Sequence, residues 1–256
     1  MPPLSVVVIT LNEERNIARC LESVRGLADE IIVVDSGSRD RTVDLCREAG
    51  AIVVVHPFEG HIQQKNHALS CCTHDWVLSL DADEALSEAL RQSIRRTIVA
   101  PALDGYEMNR LTNYCGTWVR HGGWYPDRKV RLFRRSKGTW TGVNPHDRFI
   151  LHDPQARPEQ LGGDLLHYSY HTISDHLRQI DYFTGITAQE IHRRGVTAPL
   201  WRVVGAPAFR FVRDYLLKGG WMDGFHGFVI AALSATSVLI KYVKLRHLSR
   251  KGPDHG

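Results

Sequence analysis

The first hundred residues alternate short apolar runs with stretches of helical periodicity. We predict strands at 4–10, 31–34, 52–55 and 76–80, and helices at 13–24, 40–49, 60–71 and 87–98. The strand residues are continuously apolar and rich in Val and Ile, as in parallel strands that are buried on both faces. This alternation predicts a doubly wound α/β sheet, in which ligands bind beyond the carboxyl ends of the strands.

The pattern changes after residue 100. Strands are predicted at 106–114 and 130–135, and amphipathic helices at 174–193, 200–217 and 225–242. The last helix is strongly apolar, but it is shorter than the roughly 20 residues that a membrane span needs. The length therefore favours a helix that lies on a membrane surface or packs against protein.

Composition and charge narrow the class of protein. The chain has 256 residues, 43% hydrophobic, which suits one α/β domain with an appendage. The net charge of +4 is uneven, because residues 201–256 carry nine Lys/Arg against three Asp/Glu. A basic end indicates an anionic neighbour, either nucleic acid or phospholipid. No signal peptide is recognisable, and five cysteines without a CxxC pair are typical of reduced thiols, so we predict a cytoplasmic protein.

Small polar and acidic residues follow three of the predicted strands, at 10–13, 35–38 and 81–83. Asp81 and Asp83 are two residues apart, so both carboxylates can address one point. Such hard oxygen ligands suit Mg²⁺ or Mn²⁺ holding a diphosphate. The alternative is an acidic start of the next helix, with Ser87 as its N-cap.

Two further candidates lie near these strand ends. Asp35 can accept hydrogen bonds from a base or a ribose, whereas Asp40 is equally well explained as a helix cap. Lys65, in the middle of a predicted helix, can meet a phosphate or remain a solvated surface cation.

Four segments, at 5–14, 32–42, 64–68 and 80–84, resemble in residues and order the family 2 glycosyltransferases. Later segments at 125–134, 143–147 and 165–170 are similar to a narrower branch, the lipopolysaccharide core β-1,4-glucosyltransferases. The resemblance implies a GT-A (nucleotide-diphospho-sugar transferase) fold of the α/β class, with a mostly parallel sheet and a C-terminal helical extension. It also implies a nucleotide-sugar donor, with UDP-glucose as the best guess, and Mg²⁺ or Mn²⁺ as cofactor.

The resemblance also implies roles for particular residues. It places the metal on Asp83 and the general base in a His-Glu pair, where this chain has His146 and Asp147. Aspartate is one methylene shorter than glutamate, so the acceptor would have to lie closer to Asp147. The resemblance implies Thr10, Asn12, Glu13 and Asp35 around the nucleotide, with Asp81 as a second candidate for the metal, and we also assign Lys65 and Asp81 to the nucleotide sugar.

The acceptor side is less specific. Arg128, Arg131 and Arg134 recur along a predicted strand, and we expect them on one face, where they would meet an anionic acceptor such as a phosphorylated saccharide. A solvated basic strand is the alternative. His146 is a further acceptor candidate, and His167 is either a metal or phosphate contact or a core histidine.

These features predict an inverting, metal-dependent hexosyltransferase acting on a lipopolysaccharide-core-type acceptor. The predicted catalytic domain is 1–172, with a nucleotide-sugar half at about 1–100 and an acceptor half at about 101–172. Residues 173–256 form a helical region that meets an anionic membrane surface or forms oligomers. With such an acceptor the basic end is assigned to the inner face of the cytoplasmic membrane and not to nucleic acid.

Three alternatives were weighed against this prediction. A polyprenyl-phosphate sugar transferase shares the pattern of the first hundred residues. A dinucleotide-binding dehydrogenase is disfavoured, because no GxGxxG motif follows the first strand. A catalytically silent nucleotide-sugar-binding membrane adaptor is disfavoured by the intact Asp81, Asp83 and Asp147.

Overall fold

The computed structural model describes residues 2–143 and 146–251, without the side chains of residues 143, 146 and 251. The chain divides into two compact units. The first unit comprises residues 1–111 and 127–168, and the second comprises residues 112–126 and 169–256. The sequence assigned 112–126 to the acceptor half of the catalytic domain, so the two divisions differ there. The predicted domain boundary at residue 172 stays a prediction.

The first half of the chain builds alternating strands and helices. The strands are β1 (Leu4–Thr10), β2 (Glu30–Asp35), β3 (Ile52–Val55), β4 (Trp76–Asp81) and β5 (Glu84–Leu86). The helices are α1 (Ile17–Val24), α2 (Thr42–Glu48), α3 (His61–Cys71) and α4 (Glu88–Val99). Helix α1 begins later than predicted, because Glu13–Asn16 forms a turn in which the carbonyl of Glu13 accepts from the N–H of Asn16. Ser87 is the N-cap of α4, as predicted, and accepts from the N–H of Leu90 at 3.3 Å.

Four of the six later strands continue the same sheet. They are β6 (Gly105–Tyr114), β7 (Thr117–Val119), β8 (Asp127–Arg134), β9 (Gly138–Val143), β10 (His146–Leu151) and β11 (Glu159–Tyr170). The main sheet has the order β3-β2-β1-β4-β8-β6-β11-β5, with β7 on β6, and β9 and β10 form a separate hairpin. Strands β3, β2, β1 and β4 are parallel, and β4 meets β8 in antiparallel register. The α/β class and the GT-A-type sheet are confirmed.

Burial along the sheet differs from the expectation at one edge. Strands β1 and β4 are buried along nearly their whole length between helices. The edge strand β3 is not, because Ile52 is 56% and Val55 is 67% exposed. A strand at the edge has a neighbour on one side only, so an apolar sequence does not guarantee burial on both faces.

The second unit is mainly helical. Its helices are α5 (Ile173–Arg193), α6 (Leu200–Val212) and α7 (Gly224–Lys251), and a π-helical turn at Arg213–Leu217 and a 3₁₀ turn at Gly220–Asp223 connect the last two. Residues 112–126 belong here because the buried Tyr114 packs against Trp124, Tyr170 and His176.

Helix α7 corrects the length argument made from the sequence. The apolar run appeared to stop at the first lysines after residue 240, but the helix continues to Lys251. Within the described residues, the segment Gly220–Arg250 is long and apolar enough to cross a membrane. Length therefore does not exclude a span, although core helices of globular proteins pass the same criterion.

Candidate functional site

The loops after β1 and β2 are joined by hydrogen bonds. Asn12, at φ 54°, donates its backbone N–H to Ser38 Oγ at 2.8 Å, and its side-chain Oδ1 accepts from the N–H of Arg39 at 2.8 Å. The N–H of Glu13 donates to Thr42 Oγ1 at 2.8 Å. Parallel strands bring the two loops together at their carboxyl ends, and these bonds fix the rim where the sequence placed the nucleotide.

Asp35 and Thr10 are paired across β1 and β2 in this rim. Asp35 is 1% exposed and accepts from the N–H groups of Gly37 and Ser38, both at 2.9 Å. Its carboxylate therefore shapes the turn after β2. Thr10 is also buried, and within residues 2–143 and 146–251 no group forms a hydrogen bond with its Oγ1. A buried hydroxyl without a partner costs free energy, so a ligand that supplied one would be favoured.

Asp83 lies in the turn after β4, opposite His167 on β11. The distance from His167 Nε2 to Asp83 Oδ2 is 3.2 Å, and the Asp83 carbonyl accepts from the N–H of Tyr168 at 2.8 Å. Burial opposes ionisation of Asp83, but the neighbouring His167 lowers the pKa of this carboxyl below its ordinary value. His167 is therefore the neighbour of Asp83, and its role as a metal or phosphate contact stays a prediction.

Glu13 faces the same region. Burial, together with the negative charge of Asp83, raises the pKa of this carboxyl to about 7, against the hydrogen bond that it accepts from the Asn16 amide. Glu13 therefore titrates near neutrality. Two carboxylates that repel each other in this way are stabilised in their ionised form by a bound cation.

Asp81 has different partners from Asp83. Its carboxylate lies 3.0 Å from Lys65 Nζ and 2.7 Å from Arg131 Nη2. Burial alone would raise the pKa of Asp81, but the Arg131 guanidinium and the Lys65 ammonium hold it well below its ordinary value. The turn at residue 82 ends the strand, so the two carboxylates do not share partners as the i, i+2 spacing suggested.

Lys65 joins Asp81 to the predicted base. Its Nζ lies 2.7 Å from Asp147 Oδ2 and 4.6 Å from the centre of the Trp140 ring. The side chain of Lys65 is 4% exposed, which excludes the solvated alternative. Asn66, one residue later in α3, holds the β9–β10 hairpin in place, since its amide donates to the Trp140 carbonyl and accepts from the Trp140 N–H.

Sequence reasoning did not assign Arg110 and Glu84 to this cluster. Glu84 is 1% exposed and lies 2.7 Å from Arg131, and Arg110 joins it to Asp127. The signal available was a basic residue inside the predicted strand 106–114 and a third acid directly after Asp83. Removing one member of such a buried network leaves an uncompensated charge.

The expectation that Arg128, Arg131 and Arg134 share one face was wrong. The register of β8 against β6 shifts between Val130 and Leu132, so Arg131 occupies a bulge and turns toward Asp81. Arg128 is exposed and pairs with Glu107, whereas Arg134 pairs with Asp104. Residues three apart in a strand already point to opposite faces, and the bulge changes the direction of Arg131 further. Whether Arg128 and Arg131 contact an acceptor stays a prediction.

A cleft with a cavity volume of about 490 Å³ opens beside this network. Asp147 and Lys65 line it together with Trp140, whose Nε1 is buried without a hydrogen-bond partner among the described residues. Three further cations line the cleft, namely Arg128, Lys129 and Arg148. The side chain of His146, predicted to bind the acceptor, lies outside the described residues.

Asp83 and His167 are the candidate ligands for a divalent cation. In the described ranges 2–143 and 146–251, no cluster of three His, Cys, Asp or Glu side chains could hold a metal ion by itself. Asp83 and His167 supply two ligands. Mg²⁺ ordinarily takes one or two protein carboxylates and completes its shell with water and substrate phosphates. The pair therefore fits a cation that arrives with a nucleotide diphosphate.

Comparisons with known proteins identify the family of the chain. Residues 5–154 match the model of glycosyl transferase family 2. An uncharacterized glycosyltransferase of Rickettsia typhi is 30% identical, over 98% of this chain and 89% of that protein. The lipopolysaccharide core biosynthesis glycosyltransferase LpsC of Rhizobium meliloti is 28% identical, over 98% of this chain and 96% of that protein.

Among solved structures, the chain is similar to glucosyl-3-phosphoglycerate synthase from Mycobacterium tuberculosis. The identity is 26% over 44% of each chain, with a TM-score of 0.37. The match to the family model spans β1 to the end of the β9–β10 hairpin. It therefore includes the loops after β1 and β2, and also Asp81, Asp83 and Asp147. The chain belongs to glycosyl transferase family 2.

Proposed function

We propose that this glycosyltransferase is an inverting hexosyltransferase that depends on a divalent cation. The proposed donor is a UDP-sugar, and we favour UDP-glucose. The proposed acceptor is a saccharide hydroxyl of the lipopolysaccharide core type. One observation carries the proposal: Asp147 lies in an open cleft, ion-paired through Lys65 to the carboxylate of Asp81 at the carboxyl end of β4.

The donor half of the site is assigned to the rim and to the Asp83–His167 pair. Thr10 offers a hydroxyl without a partner among the described residues, and Asn12 and Glu13 are held at fixed positions by the loop after β2. Asp35 acts by shaping that loop. Asp83 and His167 would hold Mg²⁺ or Mn²⁺, which when bound offsets the charge of a leaving diphosphate.

The acceptor half is assigned to the cleft. Asp147 accepts the proton of the acceptor hydroxyl while that oxygen attacks the anomeric carbon from the face opposite the diphosphate. A new C–O bond forms, the bond from the anomeric carbon to the diphosphate oxygen breaks, and the configuration is inverted. Lys65 must share Asp147 with the incoming hydroxyl, so it also sets where that carboxylate lies.

The charge of the cleft supports an anionic acceptor. Arg128, Lys129 and Arg148 line it, and guanidinium groups bind phosphate or carboxylate oxygens with two parallel hydrogen bonds. The similarity to LpsC favours a lipopolysaccharide core saccharide over a polyprenyl phosphate. A cytoplasmic, peripheral membrane location follows from such an acceptor and belongs to the same proposal.

Nucleotide release from UDP-glucose tests the activity, with and without a core saccharide carrying phosphate. We expect release that increases with the saccharide and disappears in excess EDTA, and Asp83→Asn should abolish metal-supported nucleotide binding. Asp44→Asn, an exposed carboxylate on α2, is the matched control. Undiminished transfer in EDTA would contradict the metal assignment, and release that requires a polyprenyl phosphate would contradict the acceptor.

A further inference from the structure

Helix α6 presents large apolar side chains to solvent. Trp201 is 73%, Val204 is 71% and Phe209 is 63% exposed, and Leu200 and Val212 are also exposed. At 100° per residue these five positions fall within one half of the helix circumference. We call them the α6 apolar face.

The opposite side of α6 is the side that packs. Val203 is buried against Ala188, Ala198 and Leu245, in the small apolar core of the second unit. A surface helix normally turns one apolar stripe inward and a polar face outward. Helix α6 is apolar on both sides, and an apolar face of this kind marks a binding surface.

Exposed apolar residues continue past the helix. Leu217 is 73% exposed in the π-helical turn, and Phe225 is 71% exposed at the start of α7. Phe228 packs edge-on against Phe211 and Tyr215, with ring centres 5.9 and 5.8 Å apart, which holds the start of α7 against the end of α6. The exposed residues therefore stand on a packed support.

The exposed charges of residues 200–251, which include this face, are of one sign. Residues 200–251 contain two acidic residues, Asp214 and Asp223. Asp214 is 2% exposed and paired with Arg210 and Arg213, and Asp223 accepts from His121 at 2.8 Å. Both carboxylates are thus engaged inside the unit.

The cations that remain outside include Arg202 and Lys218, which are exposed. Aromatic and aliphatic side chains flanked by cations are what a helix needs to lie in the interface of an anionic bilayer. A second copy of the chain would instead bring like cations together across a symmetric contact, with no exposed carboxylate from residues 200–251 to pair them.

We infer that the α6 apolar face rests on an anionic lipid leaflet. This inference deepens the proposed function, because the proposed acceptor is itself a glycolipid, and it assigns membrane contact to α6 where the sequence pointed to α7. Helix α7 contacts both α5 and α6 and buries Ile230, Ala231 and Leu245. We therefore assign α7 to the support of α6, with α6 as the main contacting helix and Phe225 at the start of α7 beside it.

Vesicle sedimentation of the full chain tests this. We compare vesicles containing phosphatidylglycerol with pure phosphatidylcholine vesicles, at low and high salt. The variant Trp201→Glu/Phe209→Glu should lower the partition onto anionic vesicles at least about tenfold. The control Val55→Glu/Val99→Glu adds the same charge at side chains that are 67% and 61% exposed in the first unit, and it should stay within about twofold of the wild type.

A second variant separates charge from apolar contact. Arg202→Gln/Lys218→Gln should weaken binding to anionic vesicles by about fivefold for each charge, and leave binding to neutral vesicles unchanged. Nucleotide release from UDP-glucose without vesicles should equal the wild type in all these variants, so that a failed donor assay and a failed membrane assay are distinguishable.

Three outcomes would overturn the inference. The first is a wild-type chain that releases nucleotide but stays in solution with anionic vesicles at low salt. The second is full retention of vesicle binding by Trp201→Glu/Phe209→Glu, which would assign the contact to α7. The third is a wild-type oligomer that this variant converts to a monomer without any vesicle binding, which would assign the face to self-association.

Discussion

The two units of the chain differ in which side chains they expose to solvent: the first buries charged groups, and the second exposes large apolar ones. In the first unit, Glu84 and Arg131 are withdrawn from solvent, and together with the half-buried Asp81 they form a paired charge network beside a cleft. In the second unit, Trp201 and Val204 remain in solvent. Buried ion networks rarely add stability, and exposed apolar faces never do, so both features indicate function and not folding.

The largest expected effect concerns the proposed base. Asp147→Asn keeps the shape of the side chain but removes its ability to take a proton, so turnover should fall about 10²–10⁴-fold. The affinity for the donor should stay within a few-fold. Steady-state transfer and calorimetric donor binding measure the two quantities. Asp153→Asn, an exposed residue after β10, is the control, and normal turnover of Asp147→Asn would place the base elsewhere.

The second prediction tests whether the charged network is a single unit. Arg131→Met removes the cation that Asp81 and Glu84 share and should lower the free energy of unfolding by about 3–5 kcal/mol. Adding Glu84→Gln to this variant should recover part of the loss, because one uncompensated charge disappears. Denaturant unfolding of the single and double variants measures this coupling. Strictly additive losses would show that the groups act separately.

The third prediction is a pH dependence that originates at Glu13. Its pKa is raised to about 7 in the folded chain, mainly by burial, from 4.5. The folded chain binds this proton more tightly than the unfolded chain does. The resulting contribution to the free energy of unfolding is complete below about pH 4.5 and is lost as pH rises through about 7. The free energy of unfolding should change by about 3 kcal/mol at most over this pH range.

Thermal unfolding at pH 5 and pH 8 checks this prediction without metal. Glu13→Gln should lose several degrees less than the wild type on going to pH 8. Glu59→Gln, an exposed residue before α3, should follow the wild type. If the melting temperatures of the wild type and Glu13→Gln fall equally between pH 5 and pH 8, Glu13 is not the source of the pH dependence.

The smallest expected effect completes the comparison. Val204→Thr on the α6 apolar face should change the free energy of unfolding by less than about 0.5 kcal/mol, because the side chain is already in water. Leu80→Ala in β4, which is fully buried, should cost about 2–5 kcal/mol. Chemical denaturation measures the free energy of unfolding of both variants. A large loss from Val204→Thr would mean that this face packs against protein.

The sequence predicted the first unit well because its signals are local. The bounds of β1 and β3 agree with the prediction to the residue, since continuous Val and Ile runs end at polar turns. The clustering of Thr10, Asp35 and Asp81 also follows from local reasoning, because they end β1, β2 and β4, which are neighbours in the sheet. A rule on parallel sheets was enough to place them at one edge.

The partners of those residues could not be predicted in the same way. Lys65 and Asp147 are 82 positions apart and meet because Asn66 holds the β9–β10 hairpin against α3. Arg131 reaches Asp81 through a bulge that residue spacing alone does not reveal. Both ion pairs depend on how segments that are distant in sequence align with each other in the fold.

What the sequence by itself determined was the family, the α/β sheet and the strand ends that carry the candidate site, because periodicity and strand order are written in short segments. The tertiary structure decided which charges are paired, since Asp81 faces Lys65 and Arg131 while Asp83 faces His167. It also decided that the apolar side chains of α6 face solvent, because burial depends on which neighbours arrive from elsewhere in the chain, and none of the described residues covers Trp201 or Val204.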